Sequence, residues 1–189
     1  NSLDERLIQN LFLQGAQIDM FGVGERMITA KSEPVFGGVY KLTAVENDKG
    51  EIIPKIKCSE NVEKITIPHF KKVYRLYNRD NDKAIADYMT VHDEVVDENE
   101  PLMLFDPYAT WKTKNVCNFE ARELLVPVFL NGKKVYQSPT LKDIQAYCKQ
   151  QVNTLWDEIK RFDNPQTYYV DLSQKLWDIQ QELLRKNRN

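Results

Sequence analysis

Apolar residues recur at helical spacing at the start of the chain: Leu3, Leu7, Ile8 and Leu11 fall on one face. Ser2-Leu3-Asp4-Glu5 fits the S-x-x-E box, in which Ser2 caps the helix and Glu5 reaches back to it. Gly15 supplies the C-terminal stop. Residues 16–21 read as a short strand that runs straight into Gly22-Val23-Gly24. Helix, short loop, strand and glycine loop make an α/β rhythm. It opens at a helix cap with no strand before it, and at Asn1 rather than Met. The chain is therefore expected to begin inside an α/β unit of a longer coding sequence.

After Glu33-Pro34 the period changes. Residues 39–45, 52–58, 72–77, 84–91 and 124–130 read as strands, separated by turn-forming stretches such as 47–50 and 78–82. Asn131-Gly132 between apolar runs predicts a two-residue hairpin, because a type I′ turn needs positive φ at both central residues. Residues 93–101 form an acidic connection ending in Pro101, expected to be the most mobile loop. Two helices are predicted after that. The first starts at Thr140 with Asp143 three residues on, and its stripe is Leu141, Ile144, Cys148, Val152, Leu155 and Ile159. The second spans about 172–186, with Leu172, Leu176, Ile179 and Leu183 on one face, and Arg185, Lys186 and Arg188 at the end that favours cations. The expected divisions are 1–33, a β-rich 34–138 and a helical 139–189.

Composition narrows the class. The chain has 189 residues, 42% hydrophobic and 29% charged, which is enough for a packed core and excludes a disordered or fibrous chain. With 26 basic and 28 acidic residues the net charge is -2, so there is no global footprint for nucleic acid or an anionic membrane. No apolar run is long enough to span a bilayer. The three cysteines, Cys58, Cys117 and Cys148, are far apart and form no C-x-x-C pair, which points to a reducing compartment without disulfides or a zinc site.

The best candidate for chemistry is the segment Gly22, Val23, Gly24, Glu25 and Arg26. Glycines let the backbone approach a ligand closely, and successive N–H groups there form a nest for an anion such as phosphate. Glu25 works against that unless Arg26 or a metal compensates for its charge. A tight structural turn is the plain alternative. Gly37-Gly38 reads as a bend entering a sheet. His69 and His92 lack a partner at metal-ligand spacing; His92-Asp93-Glu94 could form an acid–base cluster but reads first as a strand end. Trp156 and Trp177 read as core, and Trp111 lies among mixed charges beside Lys112 and Lys114.

Several stretches, in this order, carry a family resemblance: Ser2-Leu3-Asp4-Glu5, Ile18-Asp19-Met20-Phe21-Gly22-Val23-Gly24, Phe36-Gly37-Gly38-Val39-Tyr40-Lys41-Leu42, Lys57-Cys58-Ser59-Glu60-Asn61, Arg122-Glu123-Leu124-Leu125-Val126-Pro127-Val128-Phe129 and Asp171-Leu172-Ser173-Gln174-Lys175-Leu176-Trp177-Asp178. Together they resemble the C-terminal part of nicotinate phosphoribosyltransferases of the longer bacterial type. The resemblance implies an α+β fold: terminal α/β barrel units over 1–33, then an antiparallel β-rich region and two C-terminal helices. It implies a cytoplasmic enzyme, commonly a homodimer with sites near the interface. That enzyme joins nicotinate to phosphoribosyl pyrophosphate with release of pyrophosphate, driven by ATP with Mg through a phosphorylated histidine, in NAD salvage. The glycine loop would then hold the phosphate of the ribosyl substrate at the C-terminal end of a barrel strand.

Two positions depart from the family pattern. Glu25 stands where the family's G-x-G-T loop has threonine, and His69 stands where glycine is expected. The phosphorylated histidine and the nicotinate-holding arginine and aromatic residue are not in this chain, so by itself it is expected to be inactive, with neither metal nor cofactor bound. A non-catalytic oligomerisation or interaction module is the competing reading.

Overall fold

Which of these local signals become elements depends on whether the chain offers them a partner. The computed structural model describes residues 2–35 and 37–187. Asn1, Phe36 and Arg188, used in the sequence reading, lie outside the described residues. Two compact units result, Asn1–Tyr40 and Lys41–Asn189.

The first unit contains α1, Glu5–Leu13, and α2, Glu25–Ile28. The cap of α1 is Asp4, whose carboxylate accepts from Leu7 N at 2.8 Å, so Ser2 is not the cap. Asp4 sits three residues before Leu7, within reach of its amide, and aspartate caps a helix as well as serine does. Gly15 has φ +82°, and the bonds Gly15 N to Phe12 O and Ala16 N to Leu11 O close a Schellman motif as expected. Residues 16–21, expected as a strand, form none. A strand needs a neighbouring ladder for its N–H and C=O groups, and the described residues of this unit offer none.

The second unit is mostly antiparallel. Short strands β1, Ala44–Glu46, and β2, Ile52–Pro54, pair around the turn at Gly50, much shorter than the predicted runs. Then come β3, Lys71–Asn78, and β4, Ala84–Val91, close to their predicted bounds. The sequence reading missed β5, Leu102–Phe105, β6, Thr113–Val116, and β7, Phe119–Glu123. The predicted strand at 124–130 forms only at its ends: Leu124 N extends the β3 ladder to Val73 O at 2.8 Å, and Phe129–Leu130 pair in a hairpin. Pro127 cannot donate to a ladder. Strands β8, Phe129–Leu130, and β9, Lys133–Lys134, flank the hairpin turn, with φ +49° at Asn131 and +74° at Gly132.

Helix α3, Leu141–Thr154, carries the predicted capping box between Thr140 and Asp143, but ends before Leu155 and Ile159. Leu172 belongs not to the last helix but to β10, Val170–Leu172, and α4 runs Gln174–Lys186 with Ser173 as its cap. The C-terminal region is thus not purely helical, because β10 separates the two helices.

The main sheet has the order β10-β4-β3-β7, with β10 parallel to β4 and the rest antiparallel. Period-2 alternation directs Tyr74, Leu76, Ala86 and Tyr88 to one face. There they pack with Leu104 of β5, Val116 of β6 and Phe119 of β7. A second cluster joins Val91, Leu172 and Leu176. The 93–101 connection is tied down: Glu94 accepts from Val91 N and Ser173 Oγ, and Glu98 accepts from Ala121 N and pairs with Arg79. Trp177 packs beside the second cluster, whereas Trp156 is 42% exposed and lies past the end of α3, so it is not core.

Candidate functional site

The glycine loop leads into α2, with Gly24 at its N-cap. Gly24 O accepts from Met27 N and Ile28 N, both at 3.1 Å, so of the first-turn amides those of Glu25 and Arg26 have no carbonyl of the helix to donate to. Among the described residues, none beyond the immediate chain neighbours stands within 4 Å of where a Cβ would lie at Gly22 or Gly24. Neither glycine is required by crowding from its own unit, and the backbone there is open to a ligand. Val23 is half-buried between them.

Glu25 occupies the first turn, where a carboxylate favours the positive end of the helix dipole. That gives it a local structural reason, opposed to its repulsion of a bound anion. Arg26 pairs through Nη1 with the Asp4 carboxylate that caps α1. Its Nε is buried without a hydrogen-bond partner. Through the Asp4 pair the guanidinium links α2 to α1. The five predicted residues are consecutive: Gly22 to Gly24 lead to the helix start, and Glu25 and Arg26 open α2.

The other predicted positions resolve differently. His69 adopts φ +80°, a conformation glycine takes freely, in line with the glycine expected there. Its ring stacks on that of His92 with centroids 5.9 Å apart, a juxtaposition no spacing in the sequence announces. The His92-Asp93-Glu94 triplet is divided among structural tasks: Asp93 pairs with Lys175 at 2.8 Å, and Glu94 braces the cap of α4. The hydrogen bond to Lys175 holds Asp93 below the ordinary carboxylate range. Gly37 and Gly38 lie in a segment without strand pairing, short of β1. Cys58, Cys117 and Cys148 are free and exposed. Among the described residues no group of three His, Cys, Asp or Glu side chains could hold a metal ion. None of their helices is long and apolar enough to cross a membrane.

Sequence reasoning missed a polar centre on the sheet. Asp87 accepts from Arg75 Nε at 2.8 Å, from Arg75 Nη2 at 3.0 Å and from Tyr168 Oη at 2.8 Å. This carboxylate holds the Arg75 guanidinium more firmly protonated, while burial and Asp87 both push the Tyr168 phenol up. The only signal in the sequence is a pair of opposite charges on the two central strands, at positions that alternate away from the core face.

Residues 70–180 match the family described as the nicotinate phosphoribosyltransferase C-terminal domain. The nicotinate phosphoribosyltransferase of Bacillus subtilis is 44% identical over 177 residues, 94% of this chain and 36% of that protein. The Caenorhabditis elegans enzyme of the same name is 32% identical, over 99% of this chain and 33% of its own length. The crystal structure of human nicotinic acid phosphoribosyltransferase superposes with a TM-score of 0.70 at 23% identity, covering 97% of this chain and 32% of that one. This likeness shows the same mixed α+β fold. The chain spans about a third of the length of the curated relatives it matches.

Proposed function

The chain belongs to the nicotinate phosphoribosyltransferase family, as its C-terminal part, and we propose on that premise that it supplies part of a phosphate site and the scaffold behind it. The enzyme as a whole joins nicotinate to phosphoribosyl pyrophosphate, with ATP, in NAD salvage. The observation that supports this role most directly is the open backbone at Gly22 and Gly24 at the start of α2. Successive backbone N–H groups at such a bare bend suit the phosphate of the ribosyl substrate or of the mononucleotide product. The positive charge of Arg26, next in the chain, offsets that of Glu25.

The chain's own residues bind and orient; the proton and phosphoryl steps fall to groups in the rest of the protein. The phosphorylated histidine and the nicotinate-holding groups lie there, so this chain by itself is inactive. The whole enzyme acts in the cytoplasm, as a homodimer.

Amide shifts of Gly22 and Gly24 on titration with nicotinate mononucleotide test the loop directly. In the full-length enzyme, Gly24→Val is expected to raise the KM for phosphoribosyl pyrophosphate at least about tenfold by blocking the backbone approach. An unchanged KM overturns the assignment. Glu25→Thr is expected to lower the same KM.

A second reading, an interaction module without a ligand, is favoured by one feature. Helix α3 buries none of its residues, and Leu141, Ile144 and Tyr147 are exposed along it. A concentration-dependent mass with no ligand-induced shift at the glycine loop would select that reading.

A further inference from the structure

A cavity of about 660 Å³ opens in the second unit between the main sheet and the β5–β6 ribbon, beside the segment that follows α3. Ala86, Phe105, Trp156 and Tyr169 give it apolar and aromatic walls, and Asp106 and Asp171 give it carboxylates. Its size lies within the range of small-molecule sites.

Asp171 is the unusual member. It pairs in register with Tyr88, so alternation places it on the face that carries the first core cluster, beneath β5. It is 5% exposed, and its Oδ1 is buried with no hydrogen-bond partner. A buried carboxylate without donors is costly, and native structures satisfy nearly all such groups. Its acidic neighbour makes matters worse: Asp106 turns its own carboxylate to Tyr108 N and Ala109 N and offers Asp171 only repulsion. Lys112 and Lys114 line the same cavity from exposed positions, and neither supplies the absent bond. Trp156 fixes its indole by donating to Ala84 O at 3.1 Å.

We propose that this cavity binds a small molecule that presents a protonated amine or amidinium to Asp171, with its flat or apolar body among Trp156, Tyr169 and Phe105. Such a group provides the missing donor, offsets the repulsion between the two neighbouring carboxylates and favours aromatic walls. Nothing in this site depends on the glycine loop, so the two assignments stand or fall separately.

Benzamidine is the probe, titrated calorimetrically into the intact protein. It is expected to bind the natural protein, and Asp171→Asn, which keeps the shape and removes the charge, is expected to weaken binding at least about tenfold. Asp106→Asn is expected to weaken it less. Equal affinity for the natural protein and Asp171→Asn overturns the proposal, as does no detectable binding at about 10 mM probe. A benzamidine-soaked crystal of the intact protein provides a readout without any variant. The amidinium within hydrogen-bond distance of Asp171 supports the assignment; the probe elsewhere, or absent, sinks it.

Discussion

Arg75 on β3 and Asp87 on β4 are direct cross-strand partners and form a two-bond pair, Nε to Oδ1 at 2.8 Å and Nη2 to Oδ2 at 3.0 Å. Their side chains are 22% and 13% exposed, so the pair is largely withdrawn from water. Register alone brings them together, because twelve residues and a turn separate them in the chain. Tyr168 closes the centre from the strand-like segment before β10.

Asp87→Ala is expected to destabilise the second unit by about 3 kcal/mol, since it strands a half-buried guanidinium. Tyr168→Phe removes one hydrogen bond and is expected to cost about 1 kcal/mol. Denaturant unfolding measures both. A loss below about 0.5 kcal/mol for Asp87→Ala would mean the pair is solvated, like an ordinary surface bridge.

Stability should depend on pH through Asp171, whose carboxyl is pushed up to about 6 by burial and then by Asp106. The folded state binds the proton more tightly than the unfolded chain, whose carboxyl titrates near the ordinary value of 3.8. The contribution is therefore fully present below pH 3.8 and is lost as pH rises through about 6. Asp171→Asn is expected to flatten this fall and to raise the melting temperature at pH 7. Melting curves from pH 3.5 to 7 check it, and parallel profiles for both proteins would refute it.

Ser173 is 2% exposed and serves two partners. Its hydroxyl accepts from Leu176 N at 3.2 Å, capping α4, and donates to Glu94 Oε2 at 2.7 Å. Ser173→Ala is expected to cost about 2 kcal/mol, the upper end for a cap, because Glu94 also loses a donor. Ser173→Thr should recover part of it. Unfolding free energies of the three proteins decide.

Asp4 joins the first unit together, capping α1 with one oxygen and pairing with Arg26 through the other. Asp4→Ala is expected to cost about 1 kcal/mol locally. Faster hydrogen exchange at the α1 amides, with the second unit unchanged, is the expected result. Uniform protection in both proteins would show that the cap is not used.

Much was legible where the signal is local. The bounds of β3 and β4, the Asn131-Gly132 turn, the Thr140–Asp143 capping box and the Gly15 stop all depend on residues within a few positions of one another. Strands β5, β6 and β7 were not, because Leu102–Phe105 lacks alternation and Thr113–Val116 is mostly polar. Leu172 reads as helical by spacing, yet β4 offers it a ladder and Ser173 then ends the strand and starts the helix.

The sequence by itself determined the family, the turns and caps, and the alternating faces of the two central strands, since these follow from backbone preferences and side-chain period. Only the tertiary structure decided that Arg75 meets Asp87, that His69 stacks on His92 and that Asp171 is buried without a donor beside a cavity. Each of these depends on register between distant segments or on a long crossover. There the energy of burying one chain segment against another, and not local preference, selects which residues come together.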